Sequence, residues 1–65
     1  MTQQEFLNIC GRMGSGETIC VKRDDGKQGK VLGCLQGGEA FEVEVKDVNT
    51  LEVWHRTRVV GEVPC

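Results

Sequence analysis

An alternation of apolar and charged residues in the middle of the sequence restricts the fold more than any other feature. In Phe41-Glu-Val-Glu-Val45-Lys46, every second residue is apolar and the residues between are charged. Successive side chains of a β-strand point to opposite faces of its sheet. The period of two predicts a strand over residues 40–47 with one face in a core and the other in solvent. Such a strand needs neighbours, so the chain is predicted to form a sheet.

Turn signals divide the rest of the chain into further strands. Asp24-Asp25-Gly26-Lys27 is predicted to be a tight turn, and its Asp-Gly pair is a strong hairpin signal because both residue types tolerate positive φ. Gly29 and Gly33 weaken a straight strand and predict that the second strand bends sharply. The predicted strands cover residues 17–24, 29–36, 40–47, 50–56 and 57–63.

The N-terminal segment has the pattern of a short helix. Thr2 and Glu5 have the spacing of a capping box, in which each residue's side chain accepts from the other's backbone N–H. Apolar residues then recur at helical spacing, namely Phe6, Ile9, Cys10 and Met13. We therefore expect a helix over residues 3–12. The chain as a whole, residues 1–65, is predicted to be one mainly β domain, a five-stranded, strongly bent antiparallel sheet or small barrel.

A domain of 65 residues has a small core, and chains below roughly 70–80 residues usually need a supplement such as disulfides, a metal or self-association. The four cysteines are Cys10, Cys20, Cys34 and Cys65. The first residues lack the pattern of a signal peptide, so a cytoplasmic location and free thiols are expected. One disulfide is the alternative, with Cys20 and Cys34 on neighbouring strands as the pair to examine. No C-x-x-C spacing occurs, and no metal or cofactor is expected.

Charge and composition narrow the classes of function. The formal net charge is −2, from eight basic and ten acidic residues. This balance argues against a protein whose whole surface binds nucleic acid, but it leaves room for a local basic face. No apolar run is long enough to span a bilayer, so no membrane partner is expected. No nucleophile has a paired base in the sequence, so an enzyme is not expected.

Several segments resemble the Sm-like fold, and within it the family of the bacterial RNA chaperone Hfq. Gln3, followed three residues later by Phe6-Leu-Asn, is similar to the N-terminal helix of that family. Asp25-Gly26 matches its first turn, Gly29-Lys-Val31 its bent second strand, and Val63-Pro64 the end of its fifth strand. The chain differs in the short spacing between Gly26 and Gly29, in an insertion at residues 37–40, and in Val53-Trp-His55, which stands where Hfq carries Tyr-Lys-His.

The resemblance implies a homo-oligomeric ring, in which the fourth strand of one protomer meets the fifth strand of the next. It also implies binding of single-stranded RNA and a role in post-transcriptional regulation. Single-stranded RNA is recognised by aromatic rings that stack on bases and by polar groups that contact base edges. The candidate RNA-binding residues are Gln3, Gln36, Phe41, Trp54, His55, Arg56 and Arg58. The candidate phosphate-contacting residues on the first hairpin are Lys22, Arg23, Lys27 and Lys30.

Each candidate also has a purely structural interpretation. Phe41 lies in a core-facing pattern, and Trp54 is expected either to contact a ligand or to cover the core. His55 can be an edge-strand residue, and the hairpin cations can be simply solvated. The acidic balance, Trp54 and the weak basic rim also fit a second hypothesis. In it the chain is an SH3-like module that binds or inhibits another protein, including one carried by a phage or mobile element.

Overall fold

The computed structural model describes all residues, 1–65, and consists of one helix and one sheet. Helix α1 covers Gln3–Gly14. The strands are β1 Cys20–Arg23, β2 Gln28–Leu35, β3 Ala40–Val45, β4 Leu51–His55 and β5 Val59–Val63. Two short 3₁₀ turns, Gln36–Gly38 and Arg56–Arg58, connect β2 to β3 and β4 to β5. The predicted mainly β class with a short N-terminal helix is confirmed.

The five strands form a single antiparallel sheet in the order β4-β3-β2-β1-β5. The sheet is open, and β4 and β5 are its two edges. The strand pairing therefore does not close the sheet into a barrel, which was one of the two predicted forms. The open arrangement leaves both edges without a neighbouring strand. At the start of β5 the Val59 carbonyl accepts a hydrogen bond from the Met1 ammonium group.

Helix α1 begins as its sequence predicts. The Glu5 backbone N–H donates to Thr2 Oγ1, and the Thr2 backbone N–H donates to the Glu5 carboxylate, each at 3.1 Å. The helix ends at Gly14, two residues beyond the predicted end. It has 12 residues, and no helix of the chain has the length and apolar character needed to cross a membrane.

The core lies between α1 and one face of the sheet. Eleven buried side chains form one cluster, to which the helix contributes Phe6, Ile9 and Cys10. Phe41, Val43 and Val45 of β3 belong to the same cluster, as their alternation predicts. The rings of Phe6 and Phe41 lie 4.9 Å apart between centroids and connect the helix to the sheet.

Glycines of β2 lie where this strand runs close to β3. The pairing of β2 with β3 shifts between Val31 and Gly33, where the ladder is irregular. A side chain at Gly29 would meet Val43 and would place its Cβ 2.6 Å from the Glu44 carbonyl oxygen. This close approach of two backbones explains why residue 29 must lack a side chain.

All four cysteines are paired, so the expectation of free thiols is wrong. Cys10 of α1 is joined to Cys34 of β2, and Cys20 of β1 is joined to Cys65. Cys20 and Cys34, the pair singled out from the sequence, lie on neighbouring strands but are not bonded to each other. Disulfides are typical of oxidising surroundings, so the pairing lends no support to the expected cytoplasmic location.

Candidate nucleic-acid interface and sheet edges

The two aromatic candidates for base stacking are core residues. Phe41 is 0% exposed and Trp54 is 1% exposed. The Trp54 indole N–H donates to Glu52 at 2.9 Å, and the Arg23 guanidinium lies 5.2 Å from the centre of the indole ring. Stacking on a base requires a ring face open to the ligand. The stacking role expected for these two residues is therefore corrected to a role in packing.

The polar candidates on the β4–β5 connection hold that connection together. His55 Nδ1 accepts from the Thr57 backbone N–H at 3.2 Å and caps the 3₁₀ turn. Arg56 donates to the Glu39 carboxylate at 2.7 Å and to the Met1 carbonyl at 3.2 Å. These contacts fix the end of β4 against the N-terminal segment and the β2–β3 connection.

The two glutamine candidates are exposed at other points of the fold. Gln3 lies in the first turn of α1, and Gln36 begins the 3₁₀ turn after β2. Neither glutamine side chain donates or accepts a hydrogen bond within the chain. Both are open to solvent, and nothing in their surroundings distinguishes them as a site.

Every arginine is committed to a carboxylate. Arg58 donates twice to Asp24, at 2.8 and 3.0 Å, and this hydrogen bonding lowers the pKa of the Asp24 carboxyl group. The hydrogen bond from Arg23 likewise lowers the pKa of Asp25. Both carboxylates are ionised at neutral pH and lie beside an arginine in the structure. The remaining arginines follow the same pattern, with Arg12 on Glu17 and Glu62 and Arg56 on Glu39.

Three lysines have no such partner. Lys22, Lys30 and Lys46 make no ion pair, whereas Lys27 Nζ lies 3.5 Å from Glu52. Lys22 and Lys30 are exposed and alternate with buried Val21 and Val31, so they project from the sheet face opposite the helix.

Strand register brings the three free lysines together around one amide. Lys22 lies directly opposite Gln28, and on the other side the Lys46 backbone N–H donates to the Gln28 carbonyl at 2.9 Å. Lys30 is two residues further along β2 on the same face. Directly opposite residues of a sheet have Cβ atoms about 4.5–5.5 Å apart, and diagonal neighbours about 7–8 Å apart. We call Lys22, Gln28, Lys30 and Lys46 the lysine face.

Lys22 and Lys30 are among the phosphate-contacting residues predicted from the sequence, whereas Lys46 and Gln28 are not. The alternation of β3 predicts that Lys46 points outward. It does not predict which side chains lie beside Lys46, because these depend on the register of β3 against β2. Gly29 pairs with Val45. If this pairing had been inferred from the hairpin and the following turn, it would have predicted that Lys46 lies beside Gln28.

The two edge strands expose apolar side chains that the core does not use. Leu51 and Val53 of β4 are 71% and 61% exposed, and Val60 of β5 is 64% exposed. Single exposed apolar residues are ordinary. Here they coincide with unpaired backbone groups on both edges, which is the combination that favours pairing with another strand.

No group of three or more histidine, cysteine, aspartate or glutamate side chains is arranged as a metal site requires. Comparison of the chain with protein-family models, curated proteins and solved structures found no match.

Proposed function

We propose that this chain forms a homo-oligomer through its β4 and β5 edges and that the assembled protein binds single-stranded RNA. The lysine face is the observation that carries the RNA-binding part of the proposal, because it holds the three lysines that form no ion pair. Glu44 lies directly opposite Lys30 on the neighbouring strand without contacting it as an ion pair. The resemblance to Sm-like proteins supports the same function, with a different set of contacting residues. The arginines and buried aromatic rings contribute to the fold instead.

Phosphate contacts account for most of the affinity of a protein for nucleic acid when recognition is not sequence-specific. A lysine contacts phosphate as a point charge on a flexible stem. One protomer offers only three free lysines, which is a weak site. A homo-oligomer repeats the site on each protomer, and the raised effective concentration strengthens binding without new contacts.

The order of the strands supports head-to-tail assembly. Because β4 and β5 lie at opposite edges, β4 of one protomer and β5 of the next can continue one sheet across the interface. A head-to-tail contact of this kind closes into a ring when its rotation permits. Pairing would cover Leu51 and Val53 on one side and Val60 on the other, and it would satisfy the free backbone groups of both edges.

A charge placed on the β5 edge tests the assembly. We expect Val60→Lys to shift the protein to the monomer, because a lysine on an edge strand must lose its hydration when another strand pairs there. Sedimentation velocity at several protein concentrations measures the change. Val48→Lys is the matched control: Val48 is 61% exposed, against 64% for Val60, but lies in the turn after β3. If both variants and the unaltered protein sedimented as the same oligomer, the β5 edge would be excluded as the interface.

Removal of the free lysines tests the RNA contact. We expect the Lys22→Gln, Lys30→Gln and Lys46→Gln triple variant to bind a fluorescent 12-nucleotide RNA more weakly, with a smaller dependence on salt. Each phosphate contact contributes about −0.7 to the slope of log affinity against log salt for a single strand. Fluorescence anisotropy over a salt series gives that slope. Lys27→Gln is the control, because Lys27 already faces Glu52. No RNA binding at low salt, or an unchanged slope in the triple variant, contradicts the proposal.

An SH3-like protein-interaction module is the second candidate, and the neutralised arginines favour it. A partner could add a strand to the same free edges, with backbone hydrogen bonds supplying affinity. This alternative predicts a monomer that does not bind RNA and that loses a protein partner when Val60 is changed to Lys. The two experiments above therefore separate the two functions.

A further inference from the structure

A pocket of about 270 Å³ lies beside the lysine face and is lined by residues of β1, β2, β3 and the turn after β3. Lys30, Lys46 and Gln28 of the lysine face line it, and the Cys20–Cys65 disulfide forms part of its wall. We propose that this pocket takes the base of one bound nucleotide and prefers adenine, cytosine or guanine, which carry an exocyclic amino group, to uracil. The inference rests on the proposed RNA binding and adds base recognition to it.

The pocket collects charged side chains that form no ion pair or hydrogen bond in the structure, and two of them, Lys30 and Glu44, lie directly opposite each other on neighbouring strands. Of the ten aspartate and glutamate side chains, seven accept a hydrogen bond or form an ion pair, which leaves Glu42, Glu44 and Asp47. Two of these three, Glu44 and Asp47, line the pocket, as do two of the three free lysines. Outside the pocket, only Lys22 and Glu42 among the charged side chains are left without a partner. In the pocket both signs remain available to a ligand.

The mixture of charges fits a nucleotide better than a simple anion. The ammonium groups of Lys30 and Lys46 donate to phosphate oxygens. An ionised carboxylate only accepts hydrogen bonds, so Glu44 and Asp47 suit the amino groups of adenine, cytosine and guanine. Uracil presents two carbonyl oxygens on either side of its single base N–H, and these oxygens would face the carboxylates. The carboxylates therefore both attract amino-bearing bases and repel uracil.

The size and backbone of the pocket fit the same role. Small-molecule sites occupy roughly 300–1,000 Å³, so a pocket of about 270 Å³ suits a ligand no larger than one nucleotide. Asp47 and Asn49 have φ values of 75° and 54°, in the left-handed region that asparagine and aspartate tolerate better than other side chains. Asp47→Asn is consequently a substitution that removes the charge and keeps the backbone conformation.

Titration with the four nucleoside 5′-monophosphates tests the inference. We expect AMP, CMP and GMP to shift backbone amide signals at Gln28, Lys30 and Lys46 in ¹H–¹⁵N NMR spectra, and to bind about tenfold or more tightly than UMP. A Glu44→Gln and Asp47→Asn double variant should lose this preference, because amide groups can also donate to uracil oxygens. Glu42→Gln, which changes an unpaired glutamate of β3 outside the pocket, should keep it. Dispersed spectra establish that each variant is folded, and Glu44→Gln alone serves if the double variant is not.

The outcomes separate base recognition from RNA binding. Equal affinity of the unaltered protein for all four nucleotides, together with salt-dependent binding of the 12-nucleotide RNA, would overturn the base pocket and leave the proposed function intact. The base pocket would also be overturned if the folded Glu44→Gln and Asp47→Asn double variant still bound AMP, CMP and GMP more tightly than UMP. Absence of binding by both the RNA and the nucleotides at low salt would remove the proposed function itself.

Discussion

Replacing Cys20 and Cys65 together by serine should lower the free energy of unfolding by about 4 kcal/mol. The two cysteines are separated by 45 residues, so their cross-link removes many conformations from the unfolded chain. It also attaches the segment after edge strand β5 to β1. A domain of this size has a stability of only about 3–10 kcal/mol in total, so the loss is a large part of it. Urea denaturation followed by circular dichroism measures the change.

The Cys10–Cys34 disulfide provides the comparison. Its cysteines are separated by 24 residues. The entropy that a cross-link removes from the unfolded chain is smaller for a shorter loop, and for this loop it corresponds to about 3.5 kcal/mol. A soluble phosphine reductant should therefore destabilise the unaltered protein more than either pair of serine substitutions does alone. Thiol titration of the denatured, unreduced protein should find no free thiol. Four free thiols, together with a denaturation midpoint unaffected by the reductant, would show that the cysteines act as ordinary apolar residues.

Trp54→Ala should be the second large effect, with a loss of about 3–5 kcal/mol in the free energy of unfolding. The indole ring is 1% exposed, so its removal leaves a cavity in a core of only eleven clustered side chains. It also leaves Glu52 without the indole donor and Arg23 without the ring that it covers. Circular dichroism is the appropriate probe, because the substitution removes the tryptophan fluorescence.

Val48→Ala is the control for Trp54→Ala, since Val48 is 61% exposed and lies in the turn after β3, outside both edge strands. Its change in unfolding free energy should stay within about 0.5 kcal/mol. If Trp54→Ala were as mild as Val48→Ala, the assignment of Trp54 to the core would be wrong, and a role in ligand contact would return. The comparison thus decides whether Trp54 is a core residue.

The elements that could be predicted from the sequence are those set by local chemistry. The capping box from Thr2 to Glu5, the Asp25-Gly26 hairpin and the alternation from Phe41 to Val45 each contain their own signal. The face of β4 was less certain, because both of its faces carry large apolar side chains. Trp54 could therefore be assigned to the core or to a ligand, and only packing against the sheet decided between them.

The candidate site was less predictable because it depends on contacts between distant residues. Arg58 is neutralised by Asp24, 34 residues away, and no local pattern indicates that pairing. The cysteine partners likewise depend on where α1 lies against β2. Lys46 joins Lys22 only through the register of three strands. Of the lysines without an ion pair, Lys22 and Lys30 were candidates from the sequence and Lys46 was not.

Light scattering coupled to gel filtration, with and without the 12-nucleotide RNA, tests the central claim most directly. The protomer has a mass of 7.2 kDa. We predict one species at an integer multiple of that mass greater than one, with the RNA eluting in the same peak at low salt. A 7.2 kDa monomer at high micromolar concentration, from which the RNA elutes separately, would contradict the proposal.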